Sequence, residues 1–398
     1  MLSQIKDDKA KESGYIRLKA VRVQFTFAIP EDIMFQYKNS DFLTALYSLY
    51  EKTGYKKYKM SKFEEYSLYL DNKSFLSDGA IITFNDPDGK LLALKPDVTL
   101  SIAKNTSAGG KRSEKLYYTE NVYRISDSSR QLKEIMQMGL EYIGEVDLYV
   151  LCEVIFLACM SLSEISESYT LDISHMGFVT GLLEGAGINE EKRRRILEAV
   201  SRKSSHEIEH ICKKSGADAE YTEKIKSLCT LYGSFDTVLK KAKALVVNDK
   251  TADSLSELES IYNALSAFDN KFNLNLDFSV VNDMSYYNGI IFRGYIEGAA
   301  SSVLSGGRYD NLMLRLGNNT GAIGFAINLD TVSMYAENDE EYDTDVLLLY
   351  SDSDSPAEVL SWVNSLVQSG TAVRAAKQND GHIRCREVIE FEKRKNNG

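Results

Sequence analysis

Three separated stretches of the chain carry residues whose types and spacing can do chemistry. The first, LLALKPDVTLSIAKN (91–105), runs an apolar strand into a Lys-Pro-Asp-x-Thr turn and then a helix. Pro96 restricts the backbone there, so Asp97 is presented at a strand end with Thr99 beside it. A carboxylate so placed can hold an ammonium group; taken alone, it is equally an ordinary Asx turn. The second, LYYTENVYRISDSSRQLKEIMQMGLEYIG (116–144), ends one strand at Arg124 and returns along another that carries Gln137 and Glu141. Arg124 offers a planar fork suited to phosphate or carboxylate. Gln137 and Glu141 are four apart on a strand and therefore share a face. Two such groups in an otherwise apolar sheet are costly unless a ligand, a partner or solvent satisfies them. The third runs from NDMSYYNGIIF through SGGRYDNLM to TGAIGFAINLDTV (282–332). Tyr286 and Tyr287 supply aromatic walls and hydroxyls, while Gly306 and Gly307 permit close backbone approach and are expected to leave Arg308 beside the pocket.

The elements that position these residues follow from periodicity and turn chemistry. A polar arm and a β-like run, VRVQFTFAIP, occupy residues 1–30. Phe35, Phe42, Leu43, Leu46, Tyr47 and Tyr50 then repeat at helical spacing, with Gly54 as a stop signal. Tyr66 to Leu70 and Ile81 to Phe84 read as strands, and NDPDGK (85–90) is a turn leading into LLALK. Leu116 to Tyr123 and Met136 to Ile143 read as an antiparallel pair joined by the polar loop 125–134. Residues 147–166 form an apolar helix, and a Lys/Glu/Ala/Leu-rich, helix-periodic insertion covers about 190–270. Its KRRR run (192–195) is flanked by Glu190, Glu191 and Glu198, which favours a solvated helix face over a nucleic-acid patch. An acidic linker at 336–343 divides a core (1–335) from a βαβ-like tail (343–398).

A chain of 398 residues, 43% hydrophobic, has room for a large core. Its net charge of -11 repels phosphate backbones, so bulk tRNA or DNA binding is not advertised. The five cysteines form no CxxC pair and the four histidines stand at no ligand spacing to them, so no metal site is expected and the thiols read as reduced core residues. The charged N-terminus has no apolar centre of the secretory kind, and no uninterrupted apolar stretch approaches a membrane span.

Each glycine-rich motif is weak by itself, but their order and spacing are specific. KPDVT, VYR with QMGLEYIG, SYYNGIIF, SGGRYDNL and GAIGFAINLD together resemble the histidyl-tRNA synthetases over roughly residues 28–335. The resemblance implies an α+β fold: a class II aminoacyl-tRNA synthetase-like antiparallel sheet flanked by helices, with a helical insertion, a short C-terminal α/β tail and a dimeric assembly. It also implies a histidine pocket. Asp97, with Thr99, would take the α-ammonium. Gln137 and Glu141 would face the ligand's polar atoms, and Tyr286 and Tyr287 would line the imidazole, with Arg124 and Arg308 as anion-binding residues.

The nucleotide side departs from the family's pattern. Arg124 matches the arginine that holds the α-phosphate, but the acidic partner expected two residues later is Ser126. The family's catalytic arginine falls at Asn282, and its Gly-x-Glu-Arg is replaced by Asn328, Leu329, Asp330 and Thr331. Phosphoryl-type transfer is driven mainly by positive charge placed at the phosphorus, and losing one clamp costs about 3 kcal/mol of transition-state stabilisation. With two lost, and the carboxylate also gone, no useful adenylation is expected. A retained amino-acid pocket beside a dismantled nucleotide site resembles one paralogue family, the regulatory subunits of short-form ATP phosphoribosyltransferase, which use Arg/Lys-Pro-Asp in the first segment. That resemblance implies a cytoplasmic, non-catalytic subunit without a cofactor. It would assemble with a separate catalytic chain in the first step of histidine biosynthesis and take part in feedback by histidine. An atypical histidyl-tRNA synthetase and a synthetase-like amino-acid-sensing regulator are the alternatives. The tail resembles a truncated anticodon-binding domain.

Overall fold

The computed structural model describes residues 42–72, 81–106, 113–125, 131–268, 272–282, 286–336 and 342–391. The chain divides into two compact units, residues 1–38 and 39–398, and every described residue lies in the second. The N-terminal arm, the VRVQFTFAIP run, the first part of the expected opening helix and Ser126 fall outside the described residues.

Chain order begins with helix α1 (Phe42–Lys52), whose Leu46 and Tyr50, one helical turn apart, are both buried. Gly54, at φ +90°, ends it where a side chain would be strained. Strands β1 (Lys56–Lys57) and β2 (Phe63–Glu65) lead to helix α2 (Tyr66–Asp71). Here the structure corrects the expected strand at 66–70. A strand would put Tyr66, Leu68 and Leu70 on one face. Instead the adjacent Leu68 and Tyr69 are buried while Leu70 is exposed, and Asn72 Nδ2 donates back to the Leu68 carbonyl. Strands β3 (Thr83–Asn85) and β4 (Leu91–Leu94) flank the expected turn, in which Asp86 accepts from the backbone N–H groups of Asp88 and Lys90.

Helix α3 (Val98–Asn105) follows, then the long hairpin of β5 (Glu114–Ile125) and β6 (Leu132–Gly144). The pair is antiparallel from Glu114 opposite Ile143 to Ile125 opposite Leu132. Helix α4 (Leu148–Ile165) is capped by Asp147, which accepts from Val150 N. Contrary to the sequence expectation, α4 is long and apolar enough to pass for a membrane span by length and composition, but Val154, Ile155, Leu157, Ala158 and Leu162 are wholly buried within the protein.

Strand β7 (Tyr169–His175) runs into α5 (Met176–Gly185), and the insertion supplies α6 (Glu190–Ser201), α7 (Ser205–Ser215), α8 (Ala219–Ser227), β8 (Tyr232–Ser234), α9 (Phe235–Lys243) and α10 (Asp249–Ser266). Arg194 and Arg195 of the basic run are exposed on α6, while Arg193 packs against α5 through Glu184. Then come β9 (Leu274–Asp277), β10 (Ile290–Ile296), β11 (Leu304–Arg308), α11 (Asp310–Arg315), β12 (Gly321–Asn328) and α12 (Leu329–Ala336). In the tail, β13 (Thr344–Leu349), α13 (Pro356–Gln368), β14 (Val373–Ala376) and β15 (Cys385–Glu390) form a three-stranded parallel sheet ordered β14-β13-β15, with α13 as the crossover.

The core sheet has nine strands in the order β1-β5-β6-β12-β11-β10-β7-β9-β8. Its central pairs, from β5 to β7, are antiparallel. Period-two alternation divides its side chains between two clusters. Met138, Leu140, Ile323, Phe325 and Ile327 face a large core shared with α1, α4, α5 and the insertion. Leu116, Tyr118, Val122, Ile143, Tyr309 and Ala322 face a smaller cluster capped by α2, α3 and α11. The chemistry sits on this second face.

Candidate functional site

Glu141 is the centre of the site. It projects from β6 on the side of the smaller cluster and is only 1% exposed. Its Oε1 accepts from the Thr99 hydroxyl at 2.7 Å and its Oε2 from the Tyr309 hydroxyl at 2.6 Å. Two hydroxyls do not offset the loss of water around a full charge, so burial pushes the Glu141 carboxyl up to about 8, while those hydrogen bonds pull it back and the Asp97 charge raises it.

The motif glycines make the space for this arrangement. A Cβ on Gly324, the β12 partner of Glu141, would overlap Glu141 Oε2. One on Gly139 would overlap the hydroxyl of Tyr118, its partner on β5. One on Gly307 would lie 2.7 Å from the Tyr287 ring. Tyr286 and Tyr287 stand with ring centroids 4.4 Å apart, and the Tyr309 ring is 6.1 Å from that of Tyr286. Tyr118, Tyr286, Tyr287 and Tyr309 all have hydroxyls raised by burial, with the Glu141 charge adding to each. Glu141 is therefore enclosed by tyrosine side chains and backs onto the Gly324 backbone, and this buried cluster is the Glu141 recess.

Asp97 is half-buried at the N-terminus of α3, where its Oδ1 accepts from Leu100 N at 2.8 Å. The Asx-turn reading is thus met, and the same carboxylate remains within the electrostatic reach of Glu141 and the tyrosines. Burial raises its pKa; the Leu100 N–H and the nearby Arg124 act against that. Arg124, on the same face of β5, donates from Nε to the Pro96 carbonyl at 3.1 Å, tying the strand end to the KPD turn. Gln137 lies on the Glu141 face, half-buried, between Glu120 of β5 and Asn328 of β12. Beneath the turn, Lys95 is fully buried and pairs with Glu120 at 3.0 Å.

The structure brings together Asp97, Thr99, Glu141, Tyr286 and Tyr287, with Arg124 and Gln137 at the margin. Arg308 does not join them, which corrects its expected position beside the pocket. It pairs with Ile323, a residue of the opposite face, and its Nε binds Asp310 Oδ2 at 2.7 Å. One residue past Gly307, it necessarily points the other way. There it lines a shallow cleft of about 400 Å³ with Glu145, Asp310 and Thr320. At the two positions where the resemblance leads one to expect arginines, Asn282 is exposed and Thr331 gives its backbone N–H to Asn328 Oδ1 at 3.1 Å, a cap on α12. Among the described residues no cluster of three or more His, Cys, Asp or Glu is arranged to hold a metal.

Two contributors escaped the sequence reading. Tyr309 follows Arg308 in SGGRYDNL, and its place two residues after Gly307 was the available signal for its face. Tyr118 sat in a tyrosine-rich strand without anything to single it out from Tyr117, which faces the other core.

Known proteins share the sequence family and the fold. The family model for histidyl-tRNA synthetase matches residues 30–332. An ATP phosphoribosyltransferase regulatory subunit from Clostridium kluyveri is 30% identical, covering 86% of this chain and 91% of the relative. Among solved structures, an ATP phosphoribosyltransferase regulatory subunit/histidyl-tRNA synthetase from Bacillus halodurans superposes with a TM-score of 0.73 at 23% identity, over 90% of this chain and 94% of that one. A chain of the ATP phosphoribosyl transferase (HisG:HisZ) complex from Thermotoga maritima has a TM-score of 0.58 at 21% identity, over 72% and 96%. The chain belongs to the histidyl-tRNA synthetase family and, within it, to the ATP phosphoribosyltransferase regulatory subunits.

Proposed function

We propose that this chain is a non-catalytic subunit that binds histidine in the Glu141 recess and works with a short ATP phosphoribosyltransferase catalytic chain in the first step of histidine biosynthesis. The observation that carries the reading is a buried carboxyl held by Thr99 and Tyr309 among buried tyrosines; the resemblance supports it by putting Asn282 and Thr331 where the synthetases have arginines. An imidazole N–H is a suitable donor to Glu141, a tyrosine hydroxyl can serve the other ring nitrogen, and Asp97 can receive the α-ammonium. Gln137 supplies a further polar contact at the margin. The name of the Thermotoga maritima complex supports a catalytic partner, and the family's class II-like core supports a homodimer within a cytoplasmic assembly. The tail, a sheet with one crossover helix, is in this reading a reduced anticodon-binding domain.

Coexpression with a short catalytic subunit tests the proposal. A stable complex, phosphoribosyl transfer that requires both chains, inhibition by histidine and no histidine-dependent exchange of pyrophosphate into ATP are expected. A chain that exchanges pyrophosphate into ATP, or that forms no complex and restores no transfer, overturns it.

A further inference from the structure

An amino acid brings a carboxylate as well as an imidazole and an ammonium, and a carboxylate stripped of water needs a cation. Most cations around the site are already engaged: Lys95 with Glu120, Arg308 with Asp310 on the far face, and Arg124 with the Pro96 carbonyl and the field of Asp97. Arg293 on β10 is different. Strand register puts it on the functional face. Glu141 pairs with Gly324, Gly324 with Gly307 and Gly307 with Ile291, and Arg293 lies two residues from Ile291 on the same strand. It is half-buried, and among the described residues it makes no ion pair or hydrogen bond.

Its nearest acid by register is Asp172, directly opposite on β7, yet the two are not paired. Asp172 is held instead by Asn275 Nδ2 at 3.4 Å, with Lys203 as the cation that acts on it. The charge of Arg293 is felt on the other side, at Tyr287, which packs over Gly307 on the neighbouring strand. Register thus puts the Arg293 side chain on the face that carries the tyrosines. From Gly324, over which the Glu141 carboxyl lies, to β10 is two strand spacings, ~10 Å, a gap that a long arginine side chain and the backbone of one amino acid bridge together.

We propose that Arg293 is the carboxylate-binding residue of the recess, receiving the α-carboxylate of the ligand whose imidazole meets Glu141 and whose ammonium meets Asp97. The proposal rests on the histidine-pocket reading above. It makes Arg293 the residue that distinguishes an intact amino acid from its decarboxylated or reduced relatives, through the paired N–H donors that match a carboxylate.

Calorimetric titration of the full chain with L-histidine, histamine and L-histidinol, for the wild type and for Arg293→Met and Arg293→Lys, tests this. The wild type is expected to bind histidine roughly 10- to 100-fold more tightly than histamine, the worth of a charge-assisted hydrogen-bonded pair. Arg293→Met should lose that preference while keeping its affinity for histamine, and Arg293→Lys should retain part of it. Equal binding of histidine and histamine by the wild type overturns the role of Arg293 and leaves the pocket standing; binding of neither overturns the pocket and this role with it. Equal weakening of both ligands in Arg293→Met reveals a structural role and refutes the proposal. So does an intact preference in that variant, even where its response to inorganic phosphate or AMP has changed.

Discussion

Replacing Glu141 by glutamine should change how stability depends on pH, in a direction set by the burial of its carboxyl. In the folded protein burial pushes that carboxyl up to about 8, from 4.5. The protonated form is the one the fold favours, so the full benefit is present below pH 4.5 and is lost as pH rises through about 8. At about 1.4 kcal/mol per pH unit, the gap between those values amounts to roughly 5 kcal/mol over the whole titration, most of it falling between about pH 5 and pH 9. Glutamine is nearly isosteric, can accept from Thr99 and can donate to Tyr309, whose hydroxyl turns to accept. It does not titrate. Asp97, also raised by burial, contributes to both proteins and largely cancels in the difference. Urea denaturation at several pH values from 5 to 9.5 is the assay. The wild type should lose several kcal/mol relative to Glu141→Gln across that range, and parallel curves would refute the account of a carboxyl buried without a cation. Histidine added at high pH should recover part of the loss by supplying an N–H donor to the carboxylate.

Further tests address the parts that hold this group in place. Gly324→Ala places a methyl where Glu141 Oε2 and the Leu140 carbonyl already lie, so β6 and β12 must separate; a loss of roughly 1–3 kcal/mol in denaturation midpoints, together with weakened histidine binding, is expected. A fully retained affinity in Gly324→Ala would show that the floor of the recess does not need to be backbone. Lys95→Met removes the buried partner of Glu120 while keeping the length of the side chain. Because Glu120 retains some exposure, a cost of about 2–4 kcal/mol is expected, together with a loosened KPD turn visible as faster amide exchange at Thr99 and Leu100. An unchanged stability would mean that the Glu120 carboxylate finds water instead.

Much of the site was legible in the residues alone. Period-two alternation is a local property of a strand, so Gln137 and Glu141 had to share a face wherever the hairpin lay. Pro96 and Asp97 had to end a strand and begin a helix. That Asn282 and Thr331 stand where the resemblance leads one to expect arginines is a matter of residue identity, and was legible without a structure. Alternation was also sufficient to put Arg308 on the face opposite Gly307, but that inference needs the strand to run through SGGR without a bend, which residue types do not specify.

Tertiary structure decided which groups meet. Glu141 finds Thr99 forty-two residues away and Tyr309 one hundred and sixty-eight residues away, contacts set by strand order and register across β5, β6, β12 and β11. The same non-local registers carry the Glu141 face across to Arg293, three strands distant, and turn the 66–71 stretch into a helix because the neighbouring cluster buries Leu68 and Tyr69 together. Residue types along a chain specify which way a side chain points relative to its own backbone; only the packing of distant strands specifies what it points at, and how much water is left there to hold its charge.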